Sequence, residues 1–193
     1  MKIVGIPRAL YRVLIVGLIL CGLTGSASAQ VDPETLVGLR SVWSVDKARP
    51  GDVIHLAVQV TIQDGYHINA HQLKDEFLIP TELKITPSKG LQAANPIYPE
   101  AISHQVSFSE TPLSVYEGNV HILVPVTIGR KLRPGKYTVT GSFRYQTCND
   151  ESCFPPHTVK LQIPLEIVRT GTVVQPQHPE LFPQAAPSKA IGH

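Results

Sequence analysis

The clearest signal in the chain is a strict alternation of apolar positions with the rest. From Val53 to Ile62, VIHLAVQVTI, residues Ile54, Leu56, Val58, Val60 and Ile62 share one face, and Val53, His55, Ala57, Gln59 and Thr61 the other. A period of two sends successive side chains to opposite sides of a pleated backbone, so the segment predicts a half-buried β-strand. Asn119 to Ile128, NVHILVPVTI, repeats the pattern, with Val120, Ile122, Val124, Val126 and Ile128 expected inward. Lys136 to Gln146 places Tyr137, Val139, Gly141, Phe143 and Tyr145 on one face. A last strand is predicted from Val159 to Val168, and Pro164 inside it, with no N–H for a ladder, points to an edge or a bulge. Shorter strands are expected at Val42–Val45, Thr81–Thr86, Val106–Phe108 and Ser114–Tyr116.

Turn-forming clusters punctuate these segments: Arg49-Pro50-Gly51-Asp52, Asp64-Gly65, Pro87-Ser88-Lys89-Gly90, Glu117-Gly118 and Arg133-Pro134-Gly135. No window sustains a period of 3.6. Many short strands in one stretch of ordinary domain length predict an all-β fold, an immunoglobulin-like antiparallel β-sandwich in preference to a small barrel. Trp43 is expected in its core. From about Thr170 the pattern dissolves into Gln, Pro and Ala, so residues 170–193 are expected to form an unstructured tail behind a sandwich spanning 30–169.

The N-terminus changes the picture of where this domain works. Lys2, Arg8 and Arg12 precede the apolar run Val13–Leu23, and Ala27-Ser28-Ala29 fits an A-x-A cleavage site. The run falls short of the ~20 residues of a bilayer span and has the order of a secretory signal, so residues 1–29 are expected to be removed. Cys21 would leave with them. The product is expected to be exported to the periplasm, without stable membrane insertion and as a monomer. The formal net charge of +2 comes from scattered basic residues. Without a basic stripe, nucleic-acid binding has no electrostatic footprint.

Two cysteines then remain, Cys148 and Cys153, separated by the turn-prone Asn149-Asp150-Glu151-Ser152. A loop of that length can bring two Cα atoms to disulfide distance. As a staple the pair is weak, because closing about six residues is worth only ~2 kcal/mol in the chain-entropy model. A short loop disulfide at a surface is instead one that a partner thiolate can attack through a mixed disulfide. Redox exchange is therefore favoured, with a structural loop disulfide on a non-catalytic protein-binding module as the alternative. Metal ligation, recruiting His157, with His67, His71 or His104 from other loops, ranks third, and a Cys-His hydrolase below it. C-x-x-x-x-C is an unusual zinc spacing, and the chain after the signal has no methionine for copper(I). No metal or other cofactor is expected.

The segment Tyr145-Gln146-x-Cys148-…-Cys153-Phe154-Pro155-Pro156 resembles the active-site segment of the N-terminal periplasmic domain of the disulfide reductase DsbD. Gly65-Tyr66-His67-Ile68-Asn69, and Tyr116-Glu117-Gly118 before a long apolar strand, are similar too, and the resemblance spans roughly residues 35–168. It implies an immunoglobulin-like sandwich in which Cys148 and Cys153 exchange electrons. The donor would be a membrane thiol-disulfide reductase, here in trans, and the acceptors thioredoxin-like periplasmic proteins, including those of cytochrome c maturation. It also implies a cap loop with an aromatic residue over the cysteines, matched by Phe108. Tyr66 and His67 are expected to border the site. The resemblance further implies a component of a protein-disulfide reductase system.

Overall fold

The computed structural model describes residues 32–182, apart from Lys74 and Glu76. The expected signal at 1–29 lies outside the described residues. After one 3-10 turn, Pro33–Thr35, come eleven strands: β1 Val37–Trp43, β2 Val53–Ile62, β3 His67–Asn69, β4 Glu82–Thr86, β5 Leu91–Ala93 and β6 Ile102–His104. The rest are β7 Leu113–Tyr116, β8 Asn119–Ile128, β9 Gly135–Tyr145, β10 Thr147–Cys148 and β11 His157–Ile167.

The two long alternating segments become β2 and β8, which pair antiparallel with Leu56 opposite Val124 and Val58 opposite Ile122. Their inward aliphatics meet Val139 and Phe143 of β9 and Leu161, Ile163, Leu165 and Ile167 of β11 in one core. Burying each such side chain is worth about 1.5–3 kcal/mol. A one-residue slip of β2 would turn Ile54, Leu56, Val58, Val60 and Ile62 outward together, a loss of order 10 kcal/mol that rivals the whole stability of a domain. The alternation therefore fixes register as well as strand identity.

Three antiparallel sheets result, ordered β1-β2-β8-β5, β11-β9-β4 and β10-β3-β7-β6. The first two face each other across the core, and the third continues from the end of β9 through Gln146. This is the expected all-β, immunoglobulin-like sandwich. Pro164 sits on β11, an edge strand, where a missing N–H leaves no ladder bond unmade. Its carbonyl accepts from Trp43 Nε1 at 2.8 Å, pinning the half-buried indole against the core. Gly141 on β9 is required by a close approach: a Cβ there would stand 2.6 Å from the Lys84 carbonyl oxygen on β4.

Two sequence expectations meet a different outcome. Val106–Phe108 is not a strand. Val106 is buried beside Leu113 and Val115, and the chain then turns at Ser107 and Phe108. The expected tail is laid against β1 as far as Phe182. Gln177 N–H donates to the Ser44 carbonyl at 2.8 Å, and Phe182 is buried with Val42 and Ala57 on the outer face of the first sheet. Val42 and Ala57 give that outer face an apolar spot, which Phe182 covers. Residues 183–193 lie outside the described residues.

Candidate functional site

The cysteines stand at the edge of the third sheet. β10 pairs with β3 so that Thr147 faces Ile68 and Cys148 faces His67. Beyond Cys148 the chain turns back at once: Asn149 Oδ1 accepts from the N–H groups of Glu151 and Ser152, at 2.9 and 2.8 Å. Asparagine suits this position because its side chain substitutes for a backbone acceptor in a tight turn. Asn149 N–H donates to Ser152 O at 2.9 Å, and Phe154 N–H to Thr147 O at 2.8 Å. The hairpin so closed brings the two Cα atoms to 4.0 Å, and Cys148 and Cys153 are disulfide-bonded.

The pair is asymmetric. Cys148 is 0% exposed, sealed in its strand, whereas Cys153 is partly exposed. Gln146 holds the base of the hairpin. Its amide nitrogen donates to the Phe154 carbonyl at 3.1 Å, and its amide oxygen accepts from Asn69 Nδ2 at 3.1 Å and Ile79 N–H at 3.3 Å. Asn69, fully buried, also donates to the Ile79 carbonyl at 3.0 Å. Tyr66 packs against Phe154 with ring centroids 6.2 Å apart, which sets it beside the outgoing limb of the hairpin.

On the other limb, loop 105–112 is fastened to the cysteine hairpin. Ser107 donates its N–H and its hydroxyl to the Asp150 carbonyl, at 2.9 and 2.7 Å. Phe108, the residue matched to a cap, follows at the tip of this loop and is 44% exposed. Asp150 makes a further tie through its side chain, with Oδ1 2.8 Å from His104 Nε2. The other nitrogen of that ring, Nδ1, lies 2.6 Å from Glu117 Oε1. Glu117 is held at the β7–β8 turn, where Gly118 takes a φ of +60° that glycine adopts without strain.

His67 completes this polar group. Its ring stacks obliquely on that of His104, with centroids 4.8 Å apart, and it is 1% exposed. Burial, then the neighbouring His104, lowers its pKa below the ordinary 6.5 against the opposing pull of Glu117 and Asp150. Burial thus disfavours the charged imidazolium. The structure thus brings Cys148, Cys153, His67 and Tyr66 together, with the loop of Phe108 tethered alongside. His71 and His157 go elsewhere: His71 stacks on Tyr98 at 3.8 Å and bonds the Thr81 carbonyl, and His157 lies 3.4 Å from Glu34. The roles of Gln146, Ser107 and Glu117 were not read from the sequence. Only the turn Tyr116-Glu117-Gly118 hinted at the last.

A β-sandwich whose described residues carry one disulfide, closing a hairpin at a sheet edge, defines the class: an all-β domain with a loop cystine at its surface. The model of the family described as thiol:disulfide interchange protein DsbD, N-terminal, matches residues 37–164, and the chain belongs to that family. Among solved structures it is similar to the reduced form of the Neisseria meningitidis DsbD N-terminal domain. That match has 19% identity and a TM-score of 0.45, covering 79% of this chain and 100% of the other. It is also similar to the N-terminal periplasmic domain of ScsB from Proteus mirabilis, at 15% identity and a TM-score of 0.46. Coverage there is 71% of this chain and 49% of the other. No curated protein matches the chain.

Proposed function

We propose that this chain carries electrons in the periplasm by reversible opening of the Cys148–Cys153 disulfide, between a membrane thiol-disulfide reductase acting in trans and thioredoxin-like partner proteins. The observation that carries the reading is the asymmetry of the pair on its hairpin: one sulfur-bearing residue sealed, the other within reach. Exchange needs one attackable sulfur and a second waiting at bonding distance.

A thiolate of the reduced donor attacks Cys153 Sγ. The S–S bond breaks, its electron pair leaves on Cys148 Sγ, and a mixed disulfide joins Cys153 to the donor. The donor's second thiolate then attacks its own sulfur in that bond and releases Cys153. Two electrons have moved, the donor is a disulfide, and this chain is a dithiol whose protons come from solvent. Delivery to an oxidised thioredoxin-like partner runs the same steps in reverse, with Cys153 attacking and Cys148 resolving. Phe108 acts as the cap that a partner displaces, while Tyr66 and His67 border the exposed sulfur.

The test uses Cys148→Ser and Cys153→Ser single variants with a thioredoxin-like protein lacking its resolving cysteine and activated as a thionitrobenzoate mixed disulfide. A stable covalent adduct through Cys153, faster than through Cys148, is expected. An adduct through Cys148 alone would reverse the roles. No adduct from either, together with a reduction potential below about −300 mV, would make the chain a protein-binding module with a structural loop disulfide.

A further inference from the structure

The chemistry of exchange uses no part of the cluster formed by His67, His104 and Glu117, yet that cluster is built from three separate elements and is half-buried to buried. One donor atom from each residue lies within 4.8 Å of the other two. Within the cluster, His67 Nε2 is out of reach of solvent with no hydrogen-bond partner, while Glu117 Oε1 meets only His104 Nδ1, at 2.6 Å. A buried polar atom left unpaired costs about 1–3 kcal/mol, and a group retained at that cost calls for an explanation.

We propose that His67 Nε2, His104 Nδ1 and Glu117 Oε1 form a binding site for a divalent transition metal of the zinc class, beside the cysteine hairpin and independent of its sulfurs. Two imidazoles and one carboxylate are a donor set suited to zinc, and three protein ligands leave a fourth position open for water or an incoming group. With bonds of about 2.0–2.1 Å, tetrahedral ligands stand roughly 3.3 Å apart, so an ion would draw together atoms that now lie within 4.8 Å and spread His104 Nδ1 and Glu117 Oε1 from 2.6 Å.

The surroundings fit the same assignment. His104 presents one nitrogen to the cluster and the other to Asp150, at 2.8 Å. A carboxylate on the far side of a ligating histidine fixes the ring and its tautomer, and is the usual outer partner of a metal-bound imidazole. Glu117 brings the negative charge that a buried dication needs. Because Asp150 lies between the two cysteines, an ion here would brace the hairpin from outside the disulfide. This goes beyond the exchange reading, since the site stands whether or not the disulfide turns over.

The experiment titrates the untagged mature protein, oxidised, with Zn²⁺ by calorimetry and with Co²⁺ by visible absorption. One ion per chain is expected, with Co²⁺ bands of a tetrahedral N/O site. Because His67 is buried and its variants risk misfolding, the partly exposed residues carry the test. His104→Gln and Glu117→Gln should each weaken binding at least tenfold while circular dichroism is unchanged, and Asp150→Asn should weaken it by about 10–100-fold. The double Cys148→Ser, Cys153→Ser variant should bind as the parent does. No stoichiometric binding at millimolar metal, binding indifferent to His104→Gln and Glu117→Gln, or binding abolished by loss of the cysteines would each overturn the proposal.

Discussion

Ser107 gives both its backbone N–H and its side-chain hydroxyl to a single acceptor, the carbonyl oxygen of Asp150, which sits between the two cysteines. The loop that carries Phe108 at its tip is therefore attached to the hairpin it borders, and the two must move together or part. Removing the hydroxyl with Ser107→Ala takes away one hydrogen bond at a half-open site, worth about 1 kcal/mol. Reduction of the Cys148–Cys153 disulfide by dithiothreitol should then speed up several-fold, followed by thiol alkylation against time. An unchanged rate would mean that this tether does not limit access.

The disulfide itself should matter little to folding. The double change Cys148→Ser, Cys153→Ser removes a loop constraint worth about 2 kcal/mol, since the closed loop is so short. The expected loss is no more than about 2–3 kcal/mol by urea denaturation, with the β-sheet spectrum retained. A variant unable to fold would make the bond a staple after all.

Gln146 is expected to matter about as much as the bond. Gln146→Ala removes the partners of the Phe154 carbonyl and the Ile79 N–H together and leaves Asn69 Nδ2 with the Ile79 carbonyl alone. Losing part-buried hydrogen bonds of this kind should cost about 1–3 kcal/mol. The base of the hairpin would also loosen, so the variant should show faster disulfide reduction alongside lower stability. Loss of stability with an unaltered reduction rate would separate Gln146 from the site.

Asp46 links pH to the C-terminal segment. Its carboxylate accepts from Gln175 N–H at 2.9 Å, and this bond first, with Lys47 adding to it, lowers its pKa below the usual 3.8. A carboxyl depressed in the folded state stabilises above its unfolded pKa and loses that contribution as pH falls through the folded value. The protection factor at Gln175, its exchange rate relative to the intrinsic rate at each pH, should therefore hold above about pH 4 and fall as pH drops below 3.8. Asp46→Asn should exchange faster at neutral pH and lose most of that dependence. Unchanged protection in Asp46→Asn would show that Phe182, buried against Val42 and Ala57, holds the segment by itself.

Alternation over ten residues was enough to place β2 and β8 with the bounds they have, because the pleat of a strand is a local property written into every second side chain. The edge position of Pro164 was equally legible, since it follows from one residue's chemistry. β3 and β10 were not. With three and two residues they are too short to show a period, and His67, Asn69 and Thr147 are polar yet buried by neighbours distant in sequence. The tether of Ser107 and the meeting of His104 with Asp150, 46 residues away, arise only when β6, the β7–β8 turn and the cysteine hairpin come to one edge. Local pattern determined which segments are strands and which way they face. Which polar groups meet was decided by the pairing of strands far apart in the chain, for which no single segment holds the information.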